Sequence, residues 1–160
     1  MSEGFYKGGA YASSKIDTWS TPRDFYDATN AEFSFGLDAA ALQSSTLCPN
    51  NWYGPDHPEQ ARQDAFARDW FVDSNGQAVW LNPPYGRTIK EWVEKADLEA
   101  QKGATVVCLV PARTDTNWWW SHCISYEVRF IRGRLKFGNQ PNSAPFPSAL
   151  VIMRKDAVNE

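Results

Sequence analysis

Residues 78–103 read AVWLNPPYGRTIKEWVEKADLEAQKG. Ala78 to Leu81 is a short apolar run with the pattern of a buried strand, and it stops at Asn82-Pro83-Pro84-Tyr85, where two prolines forbid further ladder hydrogen bonds. Beyond this rigid loop, Thr88-Ile89-Lys90-Glu91 has the form of a capping box. Ile89, Trp92, Val93, Ala96 and Ala100 then recur on one helical face until Gly103. Ala104 to Val110 follows as a continuous apolar run closed by Pro111, the pattern of a parallel strand covered on both faces. Strand, helix and strand around Asn82 predict an α/β sheet, and in open sheets of this kind ligands bind beyond the carboxyl ends of the strands.

Upstream, Thr21-Pro22-Arg23-Asp24 offers a capping threonine, a proline at the first helical position and an acid in the first turn, predicting a helix to about Phe33. Phe35 to Asp38 reads as a short strand. Ala39-Ala40-Ala41 and then Ser, Pro, Asn and Gly favour a loop, with a brief strand at Trp52-Tyr53. Residues 61–70 fit either a helix or a loop. Downstream, a short helix is expected from about Asp115 to Cys123, and strands over Glu127 to Ile131 and Ala149 to Met153. Trp118-Trp119-Trp120 cannot all be buried on one helical face, since neighbours lie about 100° apart. Residues 1–18 read as a loosely ordered arm and 19–156 as one domain.

The chain has 160 residues, 42% of them apolar, which suits a folded domain with a single core. No apolar run approaches the roughly 20 residues of a membrane helix, and Met1 to Lys15 has no export pattern, so the cytoplasm is the expected compartment. Net charge is −3, which excludes bulk electrostatic capture of nucleic acid and leaves only local contacts. Cys48, Cys108 and Cys123 form an odd set without a CxxC pair and are expected to be reduced and structural. Together with His57 and His122 they match no zinc spacing, so no metal is expected.

Asn82 to Tyr85 carries the chemistry. The amino nitrogen of a nucleobase is a poor nucleophile because its lone pair is delocalised into the ring. The side-chain oxygen of Asn82 and the carbonyl of Pro83 are two acceptors that together draw such a nitrogen toward tetrahedral geometry, with Pro83 and Pro84 holding them fixed. Tyr85 is expected to stack on a base rotated out of the duplex, offsetting a cost of a few kcal/mol. A polyproline ligand is the bland alternative, but the motif abuts a buried strand and lacks the spacer that WW-domain recognition needs.

Several segments in one order resemble the phage-encoded DNA N-6-adenine methyltransferases, the Dam-like phage family. They are Thr21-Pro22-Arg23 with Phe25-Tyr26, Leu37-Asp38-Ala39-Ala40, Trp80 to Gly86, Leu109 to Thr116, Gly133-Arg134-Leu135-Lys136-Phe137 and Ala144 to Leu150. The resemblance covers most of the chain. It implies a compact class I, Rossmann-like methyltransferase with a trimmed, mostly parallel sheet, S-adenosylmethionine as cofactor, and adenine in double-stranded DNA as substrate, in the cytoplasm of a bacterial host. It places catalysis at Asn82, Pro83, Pro84 and Tyr85, sets Thr21 and Pro22 beside the methionine end of the cofactor, and puts Asp38 and Ala39 at the cofactor cleft with Asn82. The departure is the turn after the first strand, Asp38-Ala39-Ala40-Ala41, where larger adenine methyltransferases carry a glycine-rich turn.

Three further expectations come from the residues themselves. Asp64 and Asp69 are candidates for bonding the cofactor's ribose or adenine, against the alternative of solvated surface acids. Arg113 follows a strand at the same sheet edge as Asn82 and is a candidate for substrate phosphate, while Thr114 to Thr116 equally suit a helix cap. Arg132, Arg134 and Lys136 alternate and share one face if extended, giving a candidate duplex contact or a solvated strand face. Methylation of cytosine or another planar amine, and a non-catalytic nucleic-acid-binding module on the same fold, stand as the competing functions.

Overall fold

Among the described residues five strands form one sheet in the order β1-β2-β3-β5-β4. In chain order they are β1 (Phe35–Asp38), β2 (Ala78–Leu81), β3 (Val106–Pro111), β4 (Glu127–Phe130) and β5 (Ser148–Met153). The computed structural model describes residues 20–138 and 140–155, so the expected arm at 1–18 lies outside the described residues. Every residue of β2, β3 and β5 is buried, as their continuous apolar runs require of strands covered on both faces.

The pairings β1 with β2 and β2 with β3 are parallel, whereas β3 with β5 and β4 with β5 are antiparallel. The sheet is therefore mixed, a correction to the expected mostly parallel one. The cause lies in the connection from β4 to β5, which holds no helix among its described residues. A parallel return needs a crossover, usually helical, so a chain that lacks one folds back antiparallel.

Helix α1 (Arg23–Phe33) packs through Tyr26, whose ring meets Trp80 edge-on at 5.4 Å and stacks on Phe35 at 5.6 Å. Its N-cap is Pro22, not Thr21, and no side chain closes the cap, so Thr21 is left for another use. The ambiguous stretch at 61–70 resolves into two 3₁₀ turns, Gln60–Arg62 and Ala65–Ala67, followed by the short helix α2 (Trp70–Asp73). Helix α3 (Ile89–Lys102) buries Ile89, Trp92, Val93, Ala96 and Ala100, the expected stripe, and packs against β3 and β5. Its capping box does not close: Thr88 makes no side-chain cap, and its hydroxyl is buried without a partner among the described residues.

After β3 the chain turns through residues 112–116. A π-helical turn, Trp119–Cys123, then replaces most of the expected α-helix. Trp119 is buried, Trp118 half-buried and Trp120 exposed, the division that helical spacing demands. The loop after β1 lies against Trp52-Tyr53-Gly54, with the Ala41 N–H donating to the Tyr53 carbonyl at 2.9 Å. Only glycine fits at position 54, because a Cβ there would stand 1.9 Å from the Ala41 carbonyl oxygen.

Candidate active site

The three parallel strands end at one edge of the sheet, at Asp38, Leu81 and Pro111. Strand β5 runs against β3 and β4 runs against β5, so β4 points the same way as β3. Phe130 stands opposite Ala149, which itself faces Val110. Asp38, Asn82, Arg113 and Arg132 therefore all leave the sheet at the same edge, although they are separated by almost a hundred residues of chain.

Between the ends of β1 and β2 this edge opens into a cleft of about 250 Å³, whose walls include Thr21, Asp38, Ala41, Leu47, Asn82 and Pro83. The Asn82 Nδ2 donates to Thr21 Oγ1 at 2.9 Å, tying the tip of β2 to the start of α1. Pro83 and Pro84 are buried behind it, so the loop carrying Asn82 is rigid both by its rings and by its packing. Ser44 and Ser45, which sequence reasoning passed over as loop formers, add hydroxyls to the wall. Only their position after a strand end marked them.

Asp38 is 3% exposed. Its Oδ2 accepts from the Leu47 N–H at 2.9 Å and the Thr46 hydroxyl at 3.4 Å, while its Oδ1 has no hydrogen-bond partner among the described residues. Burial pushes this carboxyl up to about 7, against the lowering effect of the Leu47 and Ala40 N–H groups and the Thr46 hydroxyl. A raised carboxyl binds its proton more tightly in the folded chain than in the unfolded one. Its contribution to stability is thus full below about pH 4 and is lost as the pH climbs to about 7. Asp38→Asn cannot ionise, so its melting temperature should gain on that of the parent chain across this window and hold its lead above it. Thermal unfolding of both proteins at stepped pH reads this directly, and curves that stay parallel from pH 4 to 7 would contradict a carboxylate held in an unfavourable charged form.

The cleft brings together Thr21, Asp38, Asn82, Pro83 and Pro84 of the sequence-derived residues, and it does not bring the rest. Pro22 caps α1, and Ala39 is buried with its N–H on the Trp80 carbonyl at 3.0 Å. Asp64 accepts from the Phe66 N–H at 3.0 Å and so caps a 3₁₀ turn, away from the cleft wall. Asp69 caps α2 through the Val72 N–H and pairs with Lys102 at 3.2 Å.

Tyr85 departs furthest from expectation, being 5% exposed instead of presenting a face to a base. Its ring stands edge-on to Phe146 at 5.4 Å and Phe137 at 6.4 Å, and its hydroxyl donates to the Leu109 carbonyl at 3.3 Å. It ties the proline loop to β3. Arg113 lies over Phe146, 5.7 Å from its centroid, and is exposed. Arg132, Arg134 and Lys136 are also exposed, but β4 ends at Phe130 and Gly133 takes φ +78°, so they belong to a turning loop and not to one face of a strand.

Comparison with known proteins adds a sequence-level finding. Residues 9–157 match a family model described as DNA N-6-adenine-methyltransferase (Dam). A DNA N-6-adenine-methyltransferase of Escherichia phage T1 is 30% identical over 115 residues, which is 71% of this chain and 44% of that protein. The chain thus spans less than half the length of that curated relative.

Proposed function

The chain belongs to the DNA N-6-adenine-methyltransferase (Dam) family, and from that premise we propose that it transfers a methyl group from S-adenosylmethionine to the exocyclic amine of adenine in DNA, on a compact class I methyltransferase fold. The observation that carries this reading is the opening of Asn82, at the tip of β2, onto the cleft that also holds Thr21 and Asp38.

The cleft suits the methionine end of the cofactor. The buried Asp38 Oδ1, which meets no donor among the described residues, suits one such as an ammonium, Thr21, Ser44 and Ser45 offer hydroxyls, and Ala41, Leu42 and Leu47 give apolar wall. When bound, the cofactor supplies an electrophilic methyl on a sulfonium. The protein's own work is to present the amine. Asn82 Oδ1 and the Pro83 carbonyl accept its two hydrogens, which localises the nitrogen lone pair toward the methyl, and the spare proton leaves to water after transfer.

Thr21 orients Asn82. A carboxamide has a donor end and an acceptor end, and the bond from Nδ2 to Thr21 Oγ1 commits the donor end to Thr21, so that the oxygen is the end kept for accepting. Thr21→Val should lower kcat about tenfold with little change in KM for DNA, as expected for losing one hydrogen bond, and Thr21→Ser should restore it. Steady-state kinetics on the three proteins separates this from a cofactor contact, which would move the cofactor KM instead.

The function itself is tested by incubating the protein with labelled S-adenosylmethionine and unmethylated duplex DNA, then digesting to nucleosides for mass analysis. Label in N6-methyl-2′-deoxyadenosine is the expected result. Label in N4-methyl-2′-deoxycytidine alone would transfer the same chemistry to the cytosine amine, and DNA bound but unlabelled would favour a binding module without catalysis.

A further inference from the structure

Trp120 has no place in the chemistry above, yet it is fixed at the active edge. Trp120 is 63% exposed, while Trp119 beside it is 1% exposed and stacks on Phe130 at 6.3 Å. An exposed tryptophan ordinarily samples several rotamers, but here the indole Nε1 donates to the Thr114 carbonyl at 2.8 Å. That bond pins the ring to the loop leaving β3. The π-helical turn Trp119–Cys123 sets the register, so that one indole enters the core as the next stands clear.

Its surroundings are those of a nucleic-acid contact. A continuous series of contacts leads from the proline loop outward: Tyr85 to Phe146 at 5.4 Å, Phe146 to the Arg113 guanidinium at 5.7 Å, and one residue on, Thr114 to Trp120. On the other side, the Trp119–Phe130 pair leads to Arg132, two residues past the end of β4. Trp120 therefore stands between exposed arginines of two loops on the sheet edge that carries Asn82.

We infer that Trp120 stacks on a DNA base flanking the acceptor adenine, holding the strand open beside the active site. This rests on the reading of the protein as a DNA methyltransferase. It also supplies an exposed aromatic face that Tyr85, buried against Phe137 and Phe146, does not offer. A flat ring held by its polar edge suits a base, because every base has a π-face and stacking needs no sequence match.

The test is equilibrium binding of the full chain to a duplex oligonucleotide, followed by anisotropy across a salt series. Trp120→Ala should bind roughly ten- to a hundredfold more weakly. Its plot of log affinity against log salt should keep the parent's slope, since no charge is lost, whereas Arg113→Ala should flatten it. Trp120→Phe should recover most of the affinity. As a second readout, the tryptophan fluorescence quenched by DNA in the parent should shrink in Trp120→Phe by the share of one indole. Unchanged affinity in Trp120→Ala, or quenching undiminished in Trp120→Phe, would overturn the inference, as would loss of self-association with no change in DNA binding, which would assign the ring to a second copy of the chain. These outcomes are separate from nucleoside analysis of the parent protein, whose failure would instead remove the methyltransferase reading.

Discussion

Asn82→Ala should lower kcat for adenine methylation by at least about a hundredfold, the scale on which removing one preorganised hydrogen-bonding group from a reacting centre is felt. The two acceptors act as a pair. With only the Pro83 carbonyl left, the amine stays planar and its lone pair stays in the ring. Cofactor affinity should remain within about twofold, because the acceptor's contribution appears only as the nitrogen changes geometry. Single-turnover rates and calorimetry on the two proteins check both halves. A parent-like rate would remove Asn82 from the mechanism, and a lost cofactor would make it a binding residue instead.

The second large effect concerns stability. Glu99 is 1% exposed on α3, and its Oε1 accepts from the Trp70 N–H at 2.8 Å and the Phe71 N–H at 3.3 Å, at the start of α2. Its Oε2 meets Lys95 at 2.7 Å and Lys102 at 3.0 Å. Glu99→Ala strands two backbone donors and leaves the largely buried Lys95 ammonium without its carboxylate. Losing one partner of such a network costs about 3–5 kcal/mol, a fall in Tm of roughly 8–15 °C for a chain of this size. Glu99→Gln keeps an oxygen for the N–H groups and should fall about half as far. Calorimetric melting of the three proteins decides it, and a Tm for Glu99→Ala within about 2 °C of the parent would show that water replaces the carboxylate.

Glu99 also shows why part of this molecule was hidden in its sequence. Residues 59–73 form turns capped by Asp64 and Asp69 and by a carboxylate from another helix, so no local periodicity announces them. By contrast, β2, α3 and β3 were legible because their signals are local. An apolar run halted by two prolines, a stripe repeated on one helical face and a terminal Gly103 at φ +125° need no knowledge of the rest of the chain. Strand direction was legible only indirectly. Ala149 to Met153 is uniformly apolar, which signals burial but not direction, and the helix-free connection before it decides for antiparallel pairing.

The candidate site divides in the same way. Asn82 and its prolines follow from a strand end, and Asp38 from another. Thr21 was read as a helix cap beside the cofactor, but its partnership with Asn82 spans 61 residues of chain, and such a pairing leaves no trace in spacing. Tyr85 was misplaced for a related reason: its burial depends on Phe137 and Phe146, which arrive from the loop between β4 and β5.

A crystal of the protein grown with S-adenosylhomocysteine tests the central claim most directly. The sulfur should lie in the cleft between β1 and β2 and face the Asn82 carboxamide, with the amino-acid end near Asp38. Density for the ligand at the opposite end of β1 instead, in the wider hollow bordered by Asn51, Arg62 and Gln77, would contradict a methyl transfer at the tip of β2.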